Sequence, residues 1–150
     1  MGTNAKINEF SAAVGLTLLE DLEGIVAVNR ANYDHYRRAL GGIGGLRLLG
    51  YDQQERCNYQ FIVAEIDAQT TGVSRDELVD ILWAENVLAR RYFHPGCHRL
   101  APFRTLDGDV EASLPETERI AQRVLCLPTG PAVTANDIET IGQIIRLATH

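Results

Sequence analysis

The sequence predicts an α+β fold: a small, mostly antiparallel sheet packed with helices, preceded by long N-terminal helices. Three observations carry that expectation. Apolar residues recur at helical spacing through residues 7–41. Short runs rich in aromatic and β-branched residues follow, interleaved with further helical stretches. The 150 residues are enough for one core, with no repeat, low-complexity tract or linker to divide them. The chain therefore reads as a single domain, 1–150, in which helices over 7–41 lead into an α+β region over 45–150.

Taken in order, Ile7, Phe10, Val14 and Leu18 share one helical period, and Ile25, Asn29, Tyr33, Tyr36 and Leu40 continue it. This gives two consecutive helices, or one bent near Gly24, stopped by Gly41-Gly42. Leu46-Arg47-Leu48-Leu49 is a short strand between glycines, and Tyr59 to Ile66 a stronger one. Ser74 with Glu77 forms a capping box that opens a helix to about Asn86. Val87 to Phe93 reads as a third strand. From His94 to Leu114 the chain is irregular, punctuated by Pro95, Gly96, Pro102 and Gly108. Ser113, Pro115 and Glu116 start a helix running through Ile120 and Val124. Leu125 to Pro128 is a short extended piece, and Thr134 with Asp137 caps a last helix carrying Ile138, Ile141 and Ile145.

A hydrophobic fraction of 45% and a charged fraction of 23% belong to a soluble globular protein. Apolar runs fall far short of the roughly 20 residues that span a bilayer, and no secretory leader opens the chain. Cys57, Cys97 and Cys126 are odd in number and scattered, which fits free thiols in a cytoplasmic setting better than a disulfide framework. A net charge of −6 argues against a nucleic-acid partner. Thirteen arginines accompany a single lysine, Lys6, a bias best explained by GC-rich coding.

The segment from Asn86 to Leu106 holds Arg90, Arg91, Arg99, Arg104, His94 and His98 and no acid, so it invites an anion. Arginine forks match diphosphates and carboxylates. The alternative is that these arginines face solvent or pair with Glu111, Glu116 and Glu118. His94-x-x-Cys97-His98 hints at a metal, but no second pair stands at ligand spacing, and no metal is expected. Gly41-Gly42-Ile43-Gly44-Gly45 does not follow a strand and open a helix, so it is a connector rather than a phosphate loop. Asn4 precedes a helix and fits a cap or turn.

The run Gly2-Thr3-Asn4-Ala5-Lys6-Ile7-Asn8-Glu9, continued by Ala12-Ala13-Val14-Gly15-Leu16, resembles a motif of the DegT/StrS-type sugar aminotransferases, fold-type I enzymes that use pyridoxal phosphate (PLP). Arg90 to Arg99 is similar to that family's strand and histidine loop. Leu114 to Arg119, followed by Val124 to Pro128, is similar to its near-terminal helix and strand. The likeness covers nearly the whole chain. It implies the C-terminal region of a polypeptide more than twice as long, whose large domain carries the Schiff-base lysine. Lys6 falls on the arginine-or-lysine position of the downstream motif, so no catalytic residue is expected here. The resemblance makes Asn4 a contact to the cofactor phosphate of a neighbouring subunit. It makes Arg90, Arg91, Tyr92, His94 and His98 candidates for substrate binding, with His98 on the sugar side.

Two functions follow. One is the C-terminal region of an enzyme that moves an amino group from an amino acid to a keto nucleotide-sugar. The partner would be a lysine-bearing large domain or a second copy, PLP would belong to the intact enzyme, and this chain alone would be inactive. The other is a non-catalytic interaction or oligomerisation module derived from that family. In either case apolar surface around Phe10, Val14 and Leu18 is expected to favour a dimer or larger homo-oligomer.

Overall fold

The computed structural model describes residues 5–52, 54–92, 94–101 and 114–149, so the Asn4 expectation lies outside the described residues. The N-terminal periodicity resolves into two helices, α1 (Glu9–Glu20) and α2 (Leu22–Ala39). The Asn8 side chain accepts from the Ser11 N–H at 2.8 Å and so satisfies one of the free donors of the first turn of α1. The helix breaks at Asp21 rather than Gly24. Gly24 still matters there, because the Asp21 carboxylate lies 2.4 Å from where a Cβ at residue 24 would stand. After α2, Gly42 takes φ +81°, a conformation that costs glycine nothing, and the predicted stop is observed.

Three strands, β1 (Leu46–Leu48), β2 (Ile62–Ile66) and β3 (Val124–Leu127), form one antiparallel sheet in the order β1-β2-β3. Leu46 lies opposite Ile66, and Ile62 opposite Leu127. Along β2, Ile62, Ala64 and Ile66 are buried while Val63 and Glu65 are half-buried, so the period of two turns one face inward. A short helix, α3 (Ala68–Thr71), follows β2 and was not anticipated. Next come α4 (Arg75–Ala84), α5 (Pro115–Ala121) and α6 (Ala135–Ala148). Both predicted capping boxes, Ser74 with Glu77 and Thr134 with Asp137, are present.

Tyr36, Leu78, Leu82, Leu125, Ile138 and Ile145 pack with the inner face of β2 into one core. Helices α2 and α6 cross closely at Gly142, where an added Cβ would sit 3.0 Å from Ala39 Cβ and 3.3 Å from its carbonyl oxygen. One turn on, Arg146 Nη2 donates to that same carbonyl at 3.0 Å. Tyr33, Tyr51 and Tyr59 form an aromatic cluster, with the last two rings 4.7 Å apart. Helix α1 buries none of its residues.

Three boundaries differ from expectation. The strand read over Val87 to Phe93 reduces to a single bridge, where Arg90 and Cys126 exchange backbone hydrogen bonds of 2.9 and 2.8 Å. Asn86 enters at φ +60°, and the Ala89 N–H turns back to the Val87 carbonyl at 2.8 Å, so the segment cannot run straight; Phe93 lies outside the described residues. Strand β2 begins at Ile62 rather than Tyr59, because Tyr59 takes φ +51°. Val124 opens β3 instead of ending α5, which stops at Ala121; Ser113 lies outside the described residues. Among the described residues, no helix is long and apolar enough to cross a membrane.

Candidate functional site

The bridge at Arg90 makes the basic segment a lining for the edge of β3. Side chains alternate from there. Ala89 is buried, and Leu88, Arg90 and Tyr92 all line an open cleft of about 630 Å³. The opposite wall comes from the start of α2, through Ile25, Val26 and Asn29, and from Pro128, Thr129 and Gly130 after β3. Asn58, Gln60 and Phe61 close the third side, with the Phe61 and Tyr92 rings 4.8 Å apart.

Amide groups tie the cleft floor to the fold. Asn29 Nδ2 donates to the Asn58 carbonyl at 3.3 Å, while its Oδ1 accepts from the Thr129 hydroxyl at 3.2 Å. Asn32 Nδ2 donates to the Gly130 carbonyl at 3.1 Å. Tyr36 Oη donates to the Pro128 carbonyl at 2.9 Å, and burial pushes its phenol well above the usual range. These bonds fix the Pro128–Gly130 turn against α2, so the cleft has a firm wall. Cys126 also lines it, but burial raises its thiol to about 11 despite the opposing charge of Arg90, and it is no nucleophile near neutral pH.

The remaining basic residues are placed differently. Arg91, one residue from Arg90, faces α4. Its Nη2 reaches Asp80 Oδ1 at 2.7 Å, its Nε lies 3.0 Å from Asp76 Oδ1 without hydrogen-bond alignment, and its guanidinium stands 5.4 Å from the Trp83 ring centre. His98 and Arg99, in a 3-10 turn over Cys97–Arg99, both hold the Glu118 carboxylate of α5, Arg99 Nε at 2.6 Å and His98 through Nε2. The Arg99 hydrogen bond, then that of His98, draws the Glu118 carboxyl below its ordinary value. Gly96 makes this turn possible: its φ is +96°, and a Cβ there would come within 2.6 Å of His98 Cε1. His94 is exposed, and its Nδ1 lies 3.5 Å from Nη2 of the buried Arg75.

The structure thus brings Arg90 and Tyr92 together in the cleft and places Arg91, His94 and His98 away from its lining. Among the described residues, the Arg90 guanidinium meets no acid. Sequence reasoning missed Asn29, Asn58, Gln60, Phe61 and Thr129. The aromatic-amide run around Tyr59 was a usable signal, but the pairing of residues 29 and 129 had none. Among the described residues, no group of three or more His, Cys, Asp or Glu could hold a metal ion. Among the described residues, neither lysine nor acid lines the cleft, and Lys6 is exposed outside it. The described residues therefore do not by themselves form a holder for PLP.

Residues 1–146 match the profile of the DegT/DnrJ/EryC1/StrS aminotransferase family. The chain is 32% identical over 127 residues to dTDP-4-amino-4,6-dideoxy-D-glucose transaminase of Escherichia coli, covering 85% of this chain and 34% of that protein. It superposes on a crystal structure of DesI with its TDP-sugar product at TM-score 0.89 and 44% identity, over 99% of this chain and 38% of the other. S. venezuelae DesV, in complex with a ketimine intermediate, shares the fold at TM-score 0.84 and 24% identity, over 99% of this chain and 38% of the other. The chain spans somewhat over a third of the length of these proteins. With one family profile across nearly all its residues and one fold throughout, the chain belongs to the DegT/DnrJ/EryC1/StrS aminotransferase family.

Proposed function

We propose that this chain is the C-terminal region of a PLP-dependent aminotransferase that transfers an amino group from an amino acid to a keto nucleotide-sugar in the cytoplasm. The E. coli relative is named for a dTDP-sugar, and DesI was crystallised with a TDP-sugar product, which supports this substrate class. The observation that carries the reading is the arrangement of Arg90 and Tyr92 on one face of a firm cleft, with no acid among the described residues to neutralise the guanidinium. A diphosphate or carboxylate would pair with Arg90 in a charge-assisted fork, and the Phe61–Tyr92 pair offers a face for a ring. Arg91, held by Asp76 and Asp80, shapes the segment more than it meets ligand; the family likeness would make His94 a substrate contact and His98 one on the sugar side. Asn4 would serve the cofactor phosphate of a neighbouring subunit. No residue of this chain is assigned a covalent or proton-transfer role; PLP and its lysine belong to a large domain or partner chain, and the chain alone is expected to be inactive.

Titration of the 15N-labelled chain with dTDP, with the dTDP-keto-sugar and with glutamate tests the reading. Perturbation of Arg90 Nε–H and Tyr92, with at least a tenfold loss of affinity in Arg90→Ala (about 1.4 kcal/mol), is expected. A cleft silent to all three ligands would exclude it. The exposed apolar residues of α1, Phe10 at 79% and Leu18 at 56%, favour the second reading, a non-catalytic oligomerisation module. Ligand binding at Arg90 separates the two, since a pure interaction module has no use for it.

A further inference from the structure

Among the described residues, Arg75 is the largest fully buried side chain, and it is 1% exposed. A buried cation is tolerated only when its donors are met. Nε donates to Asp76 Oδ1 at 2.6 Å, and Nη1 donates to the carbonyls of Ala121 and Val124, each at 2.8 Å. Those bonds join α4 to the end of α5 and the start of β3, and they account for the scaffold. They leave Nη2, which reaches out of the scaffold to the loop, 3.5 Å from His94 Nδ1.

The chemistry of that pair is one-sided. A guanidinium has five N–H donors and no lone pair. A neutral imidazole has one donor nitrogen and one acceptor nitrogen. The nitrogen facing Arg75 must therefore supply the lone pair, which leaves the ring proton on Nε2, the nitrogen on the far side of an exposed residue. His98, four residues on, is the opposite case: its Nε2 is already engaged by Glu118.

We propose that Arg75 is a positioning residue that holds His94 in the Nε2–H tautomer, so that this loop presents a fixed hydrogen-bond donor. Such a donor suits an oxygen acceptor, a sugar hydroxyl or a diphosphate oxygen, and does not suit the role of base. That use rests on the proposed nucleotide-sugar reaction; the tautomer does not. Asp76 supports the arrangement, because its Oδ1 accepts from Arg75 Nε and lies 3.0 Å from Arg91 Nε, setting one carboxylate charge between the two guanidinium groups.

Two-bond 15N–1H correlation on the chain labelled with 15N-histidine, at pH about 8 and so above the ordinary imidazole range near 6.5, reads each ring nitrogen separately. His94→Gln identifies the signals, and the same chain in denaturant supplies the unbiased mixture of tautomers. The expected result is a pyridine-type Nδ1 and a pyrrole-type Nε2 in the folded protein, displaced beyond the denatured mixture. Arg75→Lys is expected to return both signals toward that mixture while the far-ultraviolet circular dichroism stays native. A wild-type ring at the denatured values, or with its proton on Nδ1, overturns the proposal. So does a folded Arg75→Lys that keeps the pure tautomer. If Arg75→Lys does not fold, the wild-type spectrum alone decides. Failure of nucleotide binding to the cleft would leave this result untouched.

Discussion

Helices α1 and α6 are both rich in apolar residues, yet α6 buries Ile138, Ile141, Gly142 and Ile145 while α1 buries none. The distribution explains the contrast. In α6 the buried residues form one stripe, with Asn136, Glu139, Gln143 and the exposed Leu147 on the other side, so a single groove beside α2 satisfies it. In α1, Phe10, Val14, Leu16, Leu18 and Leu19 point around the helix, and each is at least 44% exposed. A helix that is apolar all round is built to be covered on several sides. The core of this domain thus forms without α1, and α1 is dressed for a surface that the described residues do not provide.

The contrast breaks most sharply under truncation. Ile138→Ala is expected to cost about 2–5 kcal/mol in urea unfolding, because truncating a fully buried side chain leaves a cavity in the core. Phe10→Ala is expected to stay within about 0.5 kcal/mol in the same measurement. Equal losses at the two positions would erase the distinction. Next in size is the helix crossing. Gly142→Val forces branched bulk against Ala39 and its carbonyl, for an expected cost of about 1–3 kcal/mol, and spares α1 entirely.

Caps come next. Thr134→Ala removes one half of the α6 capping box and is expected to lower stability by about 1 kcal/mol. That cap was legible in the sequence because its whole signal lies within four residues, and the same holds for Ser74 with Glu77. The α+β class and the α6 stripe were legible for the same reason, since period and punctuation are local. The segment after Asn86 was not. Its composition reads as strand, but the Ala89 turn and the pull of Asp76 and Asp80 on Arg91 depend on a helix several residues away. The candidate site divides along the same line. The basic segment stood out as a block. Which arginine is committed to α4 and which faces the cleft follows from the alternation imposed by one bridge to Cys126. The Asn29–Thr129 bond spans a hundred positions and leaves no pattern to read.

Acid sharpens the comparison further, because the 3-10 turn is fastened to α5 by ion pairs, whereas the charged group at the α2–α6 crossing, Arg146, donates to a backbone carbonyl that acid does not titrate. The Arg99 and His98 hydrogen bonds depress the folded-state value of Glu118, so this carboxylate stabilises the folded chain above its unfolded value of about 4.3. That contribution is lost as pH falls through the depressed folded value. Glu118→Gln is expected to be less stable than wild type at neutral pH and to show a shallower loss between about pH 5 and 3. Parallel curves for the two proteins in an acid-unfolding series would mean that Glu118 fastens nothing. The depressed Glu77 and Asp137 carboxyls, each held by its own cap, should keep the residual acid slope in the variant.

The smallest expected change in stability carries the most about α1. Phe10→Ser with Val14→Ser removes apolar area at two exposed positions one helical turn apart, so the folded monomer loses no core contact. Unfolding midpoints should shift by under about 0.5 kcal/mol equivalent. If α1 covers itself by pairing with a second copy, sedimentation of the parent chain at high concentration should show a dimer or larger species, and the double variant should shift it toward monomer. A parent chain that stays monomeric would refute self-association and leave the proposed large domain as the remaining candidate to cover α1. Either outcome keeps α1 apart from the core, since the double variant is expected to leave the stability of the fold unchanged.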